Sequence, residues 1–144
     1  ERLSIQFDEL NPNCKYRVVR YGNVLYSTGS VLCKWKSLIE KNKEVVVTEP
    51  KATRFFWTVS QAIDLIFDCL EKSNNSSPHC PDMKSMSIDN LLQAMIEKYG
   101  NGKDVPVKVI GLQQGENLHE KVMNEGPYSN DVEQFTKDEI KNLI

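Results

Sequence analysis

The sequence predicts an α/β fold, on three observations. Apolar residues recur at helical spacing in several separate segments. Short β-branched and aromatic runs alternate with those segments, and Ser, Gly, Asn or Pro punctuates the joins. At 144 residues, 40% of them hydrophobic, the chain has the size of one ordinary globular domain and can bury a core without staples.

Glu1 to Leu10 places Leu3, Phe7 and Leu10 on one helical face, with no capping residue or turn ahead of it, and so reads as the tail of a helix cut in the middle. Asn11-Pro12-Asn13 is a turn, and Tyr16 to Val24 alternates as a strand bounded by Gly22 and Asn23. A strand fed by a helix implies a larger sheet with helices on both faces, for which few other strand candidates exist here. The chain is therefore expected to be the carboxyl-terminal piece of a larger protein, with residues 1–24 as the end of a helix and the last strand of a Rossmann-like sheet, and 25–144 as a second unit.

Ser27-Thr28-Gly29-Ser30 is a small-residue loop, and Ser30 caps a helix from Val31 to Lys41 with Val31, Trp35, Leu38 and Ile39 on one side. Val45 to Thr48 is a short β run stopped at Glu49-Pro50, and Arg54 to Thr58 is a second. Ser60 then caps a helix from Gln61 to Glu71, to which Ala62, Ile63, Leu65, Ile66, Phe67 and Leu70 give a broad buried face. After the polar linker Lys72 to Ser77, Ser87 caps a helix from Ile88 to Tyr99 that Gly100-Asn101-Gly102 closes. Val105 to Gly111 is the last clear strand, Glu116 to Met123 a short helix, and Lys137 to Ile144 a terminal one.

Charge and cysteine usage narrow the partners. Lys plus Arg number 18 against 20 Asp plus Glu, the net charge is −2, and no basic run occurs, so the electrostatic footprint of a nucleic-acid or anionic-membrane binder is missing. No apolar stretch approaches the roughly 20 residues a bilayer demands. Cys14, Cys33, Cys69 and Cys80 form no C-x-x-C pair, which suits reduced thiols and a cytoplasmic setting.

Two local signals suggest anion binding. The loop opening the helix at Ser30 offers amide groups and the positive end of a helix dipole, although a plain cap is the competing reading. Arg54 is one of four arginines among fourteen lysines and lies between a Pro turn and an aromatic run, where a planar fork can hold a diphosphate at two points; a surface ion pair is the alternative. Other groups read blandly. His79 and Cys80 are adjacent and His119 is remote, so no metal site is expected. Cys33 and Cys69 read as small core fillers, Phe55, Phe56 and Trp57 as packing, and Glu116 with Glu120, four apart on a helix, as a solvated face.

The residues also resemble a family. Arg20-Tyr21-Gly22-Asn23-Val24, Gly29-Ser30-Val31, Val47-Thr48 with Pro50 and Thr53-Arg54-Phe55-Phe56, and Gly111, Gly115-Glu116 and Leu118-His119-Glu120 follow the order and spacing of the nucleotide-sugar 4,6-dehydratases. These are extended short-chain dehydrogenases acting on UDP-N-acetylglucosamine, often with inversion at carbon 5, in polysaccharide and rare-sugar synthesis. The resemblance implies an α/β fold that is the C-terminal, substrate-binding part of a Rossmann-type extended short-chain dehydrogenase, with the dinucleotide-binding portion missing. It implies NAD(P) in the complete enzyme and none bound by this piece alone. Tyr21 and Val24 would lie near the nicotinamide, Asn23 near the substrate diphosphate, Ser30 and Val31 over the phosphates, Val46 and Val47 beside the uracil, Arg54 on the diphosphate and Glu116 near the ribose hydroxyls.

The chain departs from that pattern in telling ways. It has no G-x-x-G-x-x-G and no Tyr followed four residues later by Lys at the right position, since Tyr99 and Lys103 merely flank the Gly100-Asn101-Gly102 helix stop, so no catalytic residue is assigned to it, and the family's arginines are replaced by Thr28 and by Gln113-Gln114. Losing a charge-assisted phosphate contact costs about 1.5–3 kcal/mol. Two functions fit. One is the UDP-sugar-binding portion of a lyase of this type, completed by a Rossmann portion and compatible with a homo-oligomer; the other is a non-catalytic remnant acting as a binding or interaction module. The first requires Ser30 and Arg54 to share one cleft.

Overall fold

The computed structural model describes residues 1–144 and has the α/β character that the sequence predicts. Its helices are α1 (Arg2–Leu10), α2 (Val31–Glu40), α3 (Val59–Lys72), α4 (Ile88–Tyr99) and α5 (Lys137–Leu143). Its strands are β1 (Val18–Val19), β2 (Asn23–Val24), β3 (Val45–Val47), β4 (Thr53–Trp57), β5 (Pro78–His79), β6 (Ser85–Ser87) and β7 (Val107–Val109).

The strands form three small sheets. β1 pairs with β5 and β3 with β7, both parallel, while β4 lies between parallel β2 and antiparallel β6. The single strand expected over Tyr16 to Val24 is therefore two. Its first part joins β5 and its second joins β4, so the chain changes sheets across Arg20 to Gly22. Gly22 makes that crossing feasible, because a Cβ there would lie 2.4 Å from the Phe55 carbonyl oxygen.

α4 occupies the centre. Leu91, Leu92, Ala94 and Met95 are buried against Leu32, Trp35 and Ile39 of α2 and against Ile140 and Ile144 at the C-terminal end. Fully burying each large aliphatic side chain favours the fold by about 1.5–3 kcal/mol. Ser87 caps α4 by accepting from the Asn90 amide, as expected.

Four other expectations need correction. α3 starts at Val59 because Thr58, not Ser60, is its cap: the Thr58 hydroxyl accepts from the Gln61 amide and the Gln61 side chain accepts from the Thr58 amide. Its apolar face is only half covered: Ala62, Leu65 and Cys69 are buried, whereas Ile63, Ile66, Phe67 and Leu70 are exposed, as are Leu3, Phe7 and Leu10 of α1. Residues 116–123 are not helical. The Thr53 amide donates to the Leu118 carbonyl and Thr53 bridges to His119, so this stretch runs extended beside β4. The strand over Val105 to Gly111 contracts to β7, whose pairing with β3 begins after Pro106.

Candidate functional site

The alternation of β4 sorts its side chains between two clefts. Arg54 and Phe56 face one of about 430 Å³, while Phe55 faces another on the opposite side of the strand. The first cleft is walled by β2, the start of α2, β3 and β4, and its lining includes Asn23, Val24, Ser30, Val31, Val46, Val47, Arg54 and Glu116. Every residue singled out for binding, apart from Tyr21, thus opens onto one space, with Ser30 and Arg54 sharing it. Tyr21 is 42% exposed and lines a neighbouring cleft of about 580 Å³, to which Asn23 also belongs.

The sequence reading omitted further wall residues, among them Trp35, Phe56 and Ile88. Phe56 was findable, since it stands two residues from Arg54 on one face of the strand. The Trp35 indole donates to the Val46 carbonyl at 3.1 Å, joining α2 to β3 across the floor. Val45 and Val47 direct their backbone bonds to the β7 side, leaving the Val46 carbonyl on the other edge for Trp35, while strand alternation turns the Val46 side chain outward between buried Val45 and Val47.

At the start of α2, Gly29 takes a φ of +78°, a left-handed conformation that glycine adopts without penalty. The Ser30 amide is spent inside the turn on the Ser27 carbonyl at 2.9 Å. No side chain caps this helix, and the Ser30 hydroxyl donates instead to Cys33 Sγ at 3.6 Å. An anion at this helix end would therefore meet the first helical amides rather than the Ser30 amide. Just before the loop, burial pushes the Tyr26 phenol far above its ordinary range, and its hydroxyl shares a 2.8 Å hydrogen bond with Tyr99.

Arg54 is the cation of the cleft lining and Glu116 its carboxylate. Arg54 Nη1 donates to the carbonyls of Thr53 (2.8 Å) and Leu118 (3.0 Å), and Nη2 to that of Asn117 (2.8 Å). Glu120 Oε1 lies 3.3 Å from Arg54 Nε, and Asn23 Nδ2 donates to Glu120 Oε2 at 3.3 Å. Glu116 accepts from the Gln113 amide at 3.0 Å, which closes the turn through Gln114 and Gly115. Behind Arg54, Thr53 Oγ1 is 2.8 Å from His119 Nδ1 and 2.6 Å from Ser129 Oγ. His79 is engaged elsewhere, 3.1 Å from Asp68. A positively charged fork, helix-terminal amides and an apolar floor together suit an elongated anionic ligand with a flat apolar or aromatic end.

Comparison with known proteins adds independent findings. A family model described as polysaccharide biosynthesis protein matches residues 1–140. The chain is 34% identical over 132 residues to an uncharacterized membrane protein of Methanocaldococcus jannaschii, covering 87% of this chain and 40% of that one. It is 32% identical over 111 residues to a UDP-N-acetylglucosamine 4,6-dehydratase (inverting) of Campylobacter jejuni, covering 76% and 31% respectively. The X-ray structure of Pen from Bacillus thuringiensis superposes with a TM-score of 0.81 at 25% identity, over 99% of this chain and 53% of that one. A UDP-glucose 4-epimerase of Thermotoga maritima, solved with UDP-glucose, superposes with a TM-score of 0.65 at 16% identity over 98% and 48%, which is a likeness of fold. The chain spans less than half the length of these curated relatives and about half of the solved ones. No helix here is long and apolar enough to cross a membrane.

Proposed function

The chain belongs to the polysaccharide biosynthesis protein family, and on that premise we propose that the cleft holding Arg54 is the sugar-nucleotide site of an NAD(P)-dependent 4,6-dehydratase acting on UDP-N-acetylglucosamine. The observation that carries this is the convergence of Arg54, the α2 N-terminus and the β3 floor on one cleft. Arg54 and the first amides of α2 hold the diphosphate, the Val46 and Val47 edge takes the uracil, Glu116 faces the ribose hydroxyls and Asn23 orients the diphosphate toward the second cleft. Residues 25–144 supply most of this cleft, and residues 1–24 reach it at Asn23 and Val24 from the dinucleotide side.

NAD(P), when bound, accepts and returns the hydride. The residues present fit its nicotinamide edge: Val24 lines the first cleft, Tyr21 stands half-exposed in the second, and Asn23 belongs to both. Nothing comparable surrounds a whole dinucleotide, so the larger part of that site belongs to a Rossmann portion that covers the exposed faces of α1 and α3. Those same faces favour the second reading, an interaction module without catalysis of its own.

Calorimetric titration of UDP-N-acetylglucosamine into the chain tests the proposal. Saturable heat that disappears in Arg54→Ala is the expected result. Flat heats with the wild-type chain overturn it and leave the interaction module.

A further inference from the structure

Arg54 carries five N–H donors in a rigid fork. Three are committed to the carbonyls of Thr53, Asn117 and Leu118, which engage Nη1 fully and Nη2 once. What remains for a ligand is Nε and one hydrogen of Nη2, the side-on edge of the guanidinium. Glu120 stands on that edge, with Oε1 3.3 Å from Nε.

The backbone of Glu120 and its side chain are held very differently. Its amide donates to Ser129 Oγ at 2.8 Å and its carbonyl accepts from the Ser129 amide at 2.8 Å, so the main chain is pinned. The carboxylate is held by its approach to Nε, where no hydrogen bond forms, and by the long 3.3 Å contact from Asn23. It also borders the neighbouring cleft, whose lining includes Arg20 and Lys121, so it can swing to a polar surface without crossing an apolar one.

We propose that Glu120 is an internal counter-ion for Arg54: it occupies the side-on edge of the guanidinium until the diphosphate of a nucleotide ligand displaces it. This rests on the sugar-nucleotide reading of the cleft and adds a consequence to it. Asn23 and Glu120 form the partition between the two clefts, because Asn23 lines both, Arg54 lines one and Glu120 the other. Displacement of the carboxylate leaves the Asn23 amide on the Phe55 carbonyl alone, at 3.3 Å, and joins the spaces, so that diphosphate binding opens the route toward Tyr21. Glu120 is a positioning residue, with its effect on affinity opposite in sign to that of Arg54.

The probe is UDP, titrated calorimetrically into the full chain and its Glu120→Gln, Arg54→Ala and doubly substituted variants. Glu120→Gln keeps the amide contacts and the shape while removing the charge that competes with phosphate. It should tighten UDP binding by about two- to fivefold, and the gain should vanish in the Arg54→Ala background. Glu120→Ala, read alongside by circular dichroism, covers the case in which the glutamine variant fails to fold and should tighten binding in the same direction. Unchanged or weaker binding in folded Glu120 variants, with wild-type binding still lost in Arg54→Ala, overturns the counter-ion while leaving the site intact. No binding by any of the chains overturns both.

Discussion

Ser129 Oγ donates to the main-chain carbonyl of Thr53 at 3.0 Å while accepting from the Glu120 amide at 2.8 Å, across 76 residues of sequence. Both Ser129 and Thr53 are buried. One hydroxyl thus fixes the extended 117–120 segment against β4 and sets the carbonyls that hold the Arg54 fork.

Ser129→Ala leaves the Glu120 amide and a Thr53 hydrogen bond without their buried partner, and should destabilise the chain by about 1–3 kcal/mol in urea unfolding. Ser85 gives the contrast. It is equally buried, yet its hydroxyl has no hydrogen-bond partner, so Ser85→Ala should be neutral or stabilising. Equal losses in the two variants would refute the role given to the Ser129 network.

Gly22→Ala should be among the costly small substitutions. Its Cβ would meet the Phe55 carbonyl oxygen at 2.4 Å and Phe55 Cβ at 2.5 Å, and backbone atoms of a paired strand cannot step aside cheaply. The expected loss is about 1–3 kcal/mol, read as a lowered urea midpoint. A midpoint within error of wild type would mean that β2 and β4 are not so closely apposed.

Acid should loosen the C-terminal helix through Glu97. Lys137 and then Lys141, both on α5, hold the Glu97 carboxyl on α4 below its ordinary value near 4.5. A lowered folded-state pKa makes this contribution complete above the unfolded value and lost as pH falls from about 4.5 through the depressed one. The difference in Tm between wild type and Glu97→Gln should be present at pH 7 and close toward pH 3. A constant difference would exclude the ion pairs as its source.

The helices were legible because caps and apolar spacing are local signals: Ser87 starts α4 as the sequence implies, and α2 and α5 fall where expected. The sheets were less so. β5 is Pro78–His79 and β6 is Ser85–Ser87, runs too short or too polar to show alternation, and both are defined by partners distant in sequence. Arg54 stood out through the scarcity of arginine and its place on an aromatic strand. Glu120 was hidden by the helix assumed for 116–123, which put it with Glu116 on a solvated face. With the segment extended, Glu116 faces the main cleft while Glu120 meets Arg54. The composition of α3 predicted burial on all sides of its apolar arc, but only tertiary structure reveals which part has a neighbour.

That uncovered arc separates stability from association. Phe67 and Leu70 are each 61% exposed, whereas Leu65 on the same helix is buried and neighbouring Cys69 donates to the Val18 carbonyl of β1. Charging the outer positions in a Phe67→Lys, Leu70→Lys variant removes little packing, so its unfolding free energy should stay within about 0.5 kcal/mol of wild type. Leu65→Ala empties a core position and should cost about 2–5 kcal/mol. Light scattering should show the charged variant less associated than wild type at equal concentration, because a contiguous exposed apolar patch drives self-association. If the charged variant instead unfolds as readily as Leu65→Ala, the outer arc of α3 packs within this chain, and a Rossmann portion has no apolar face there to cover.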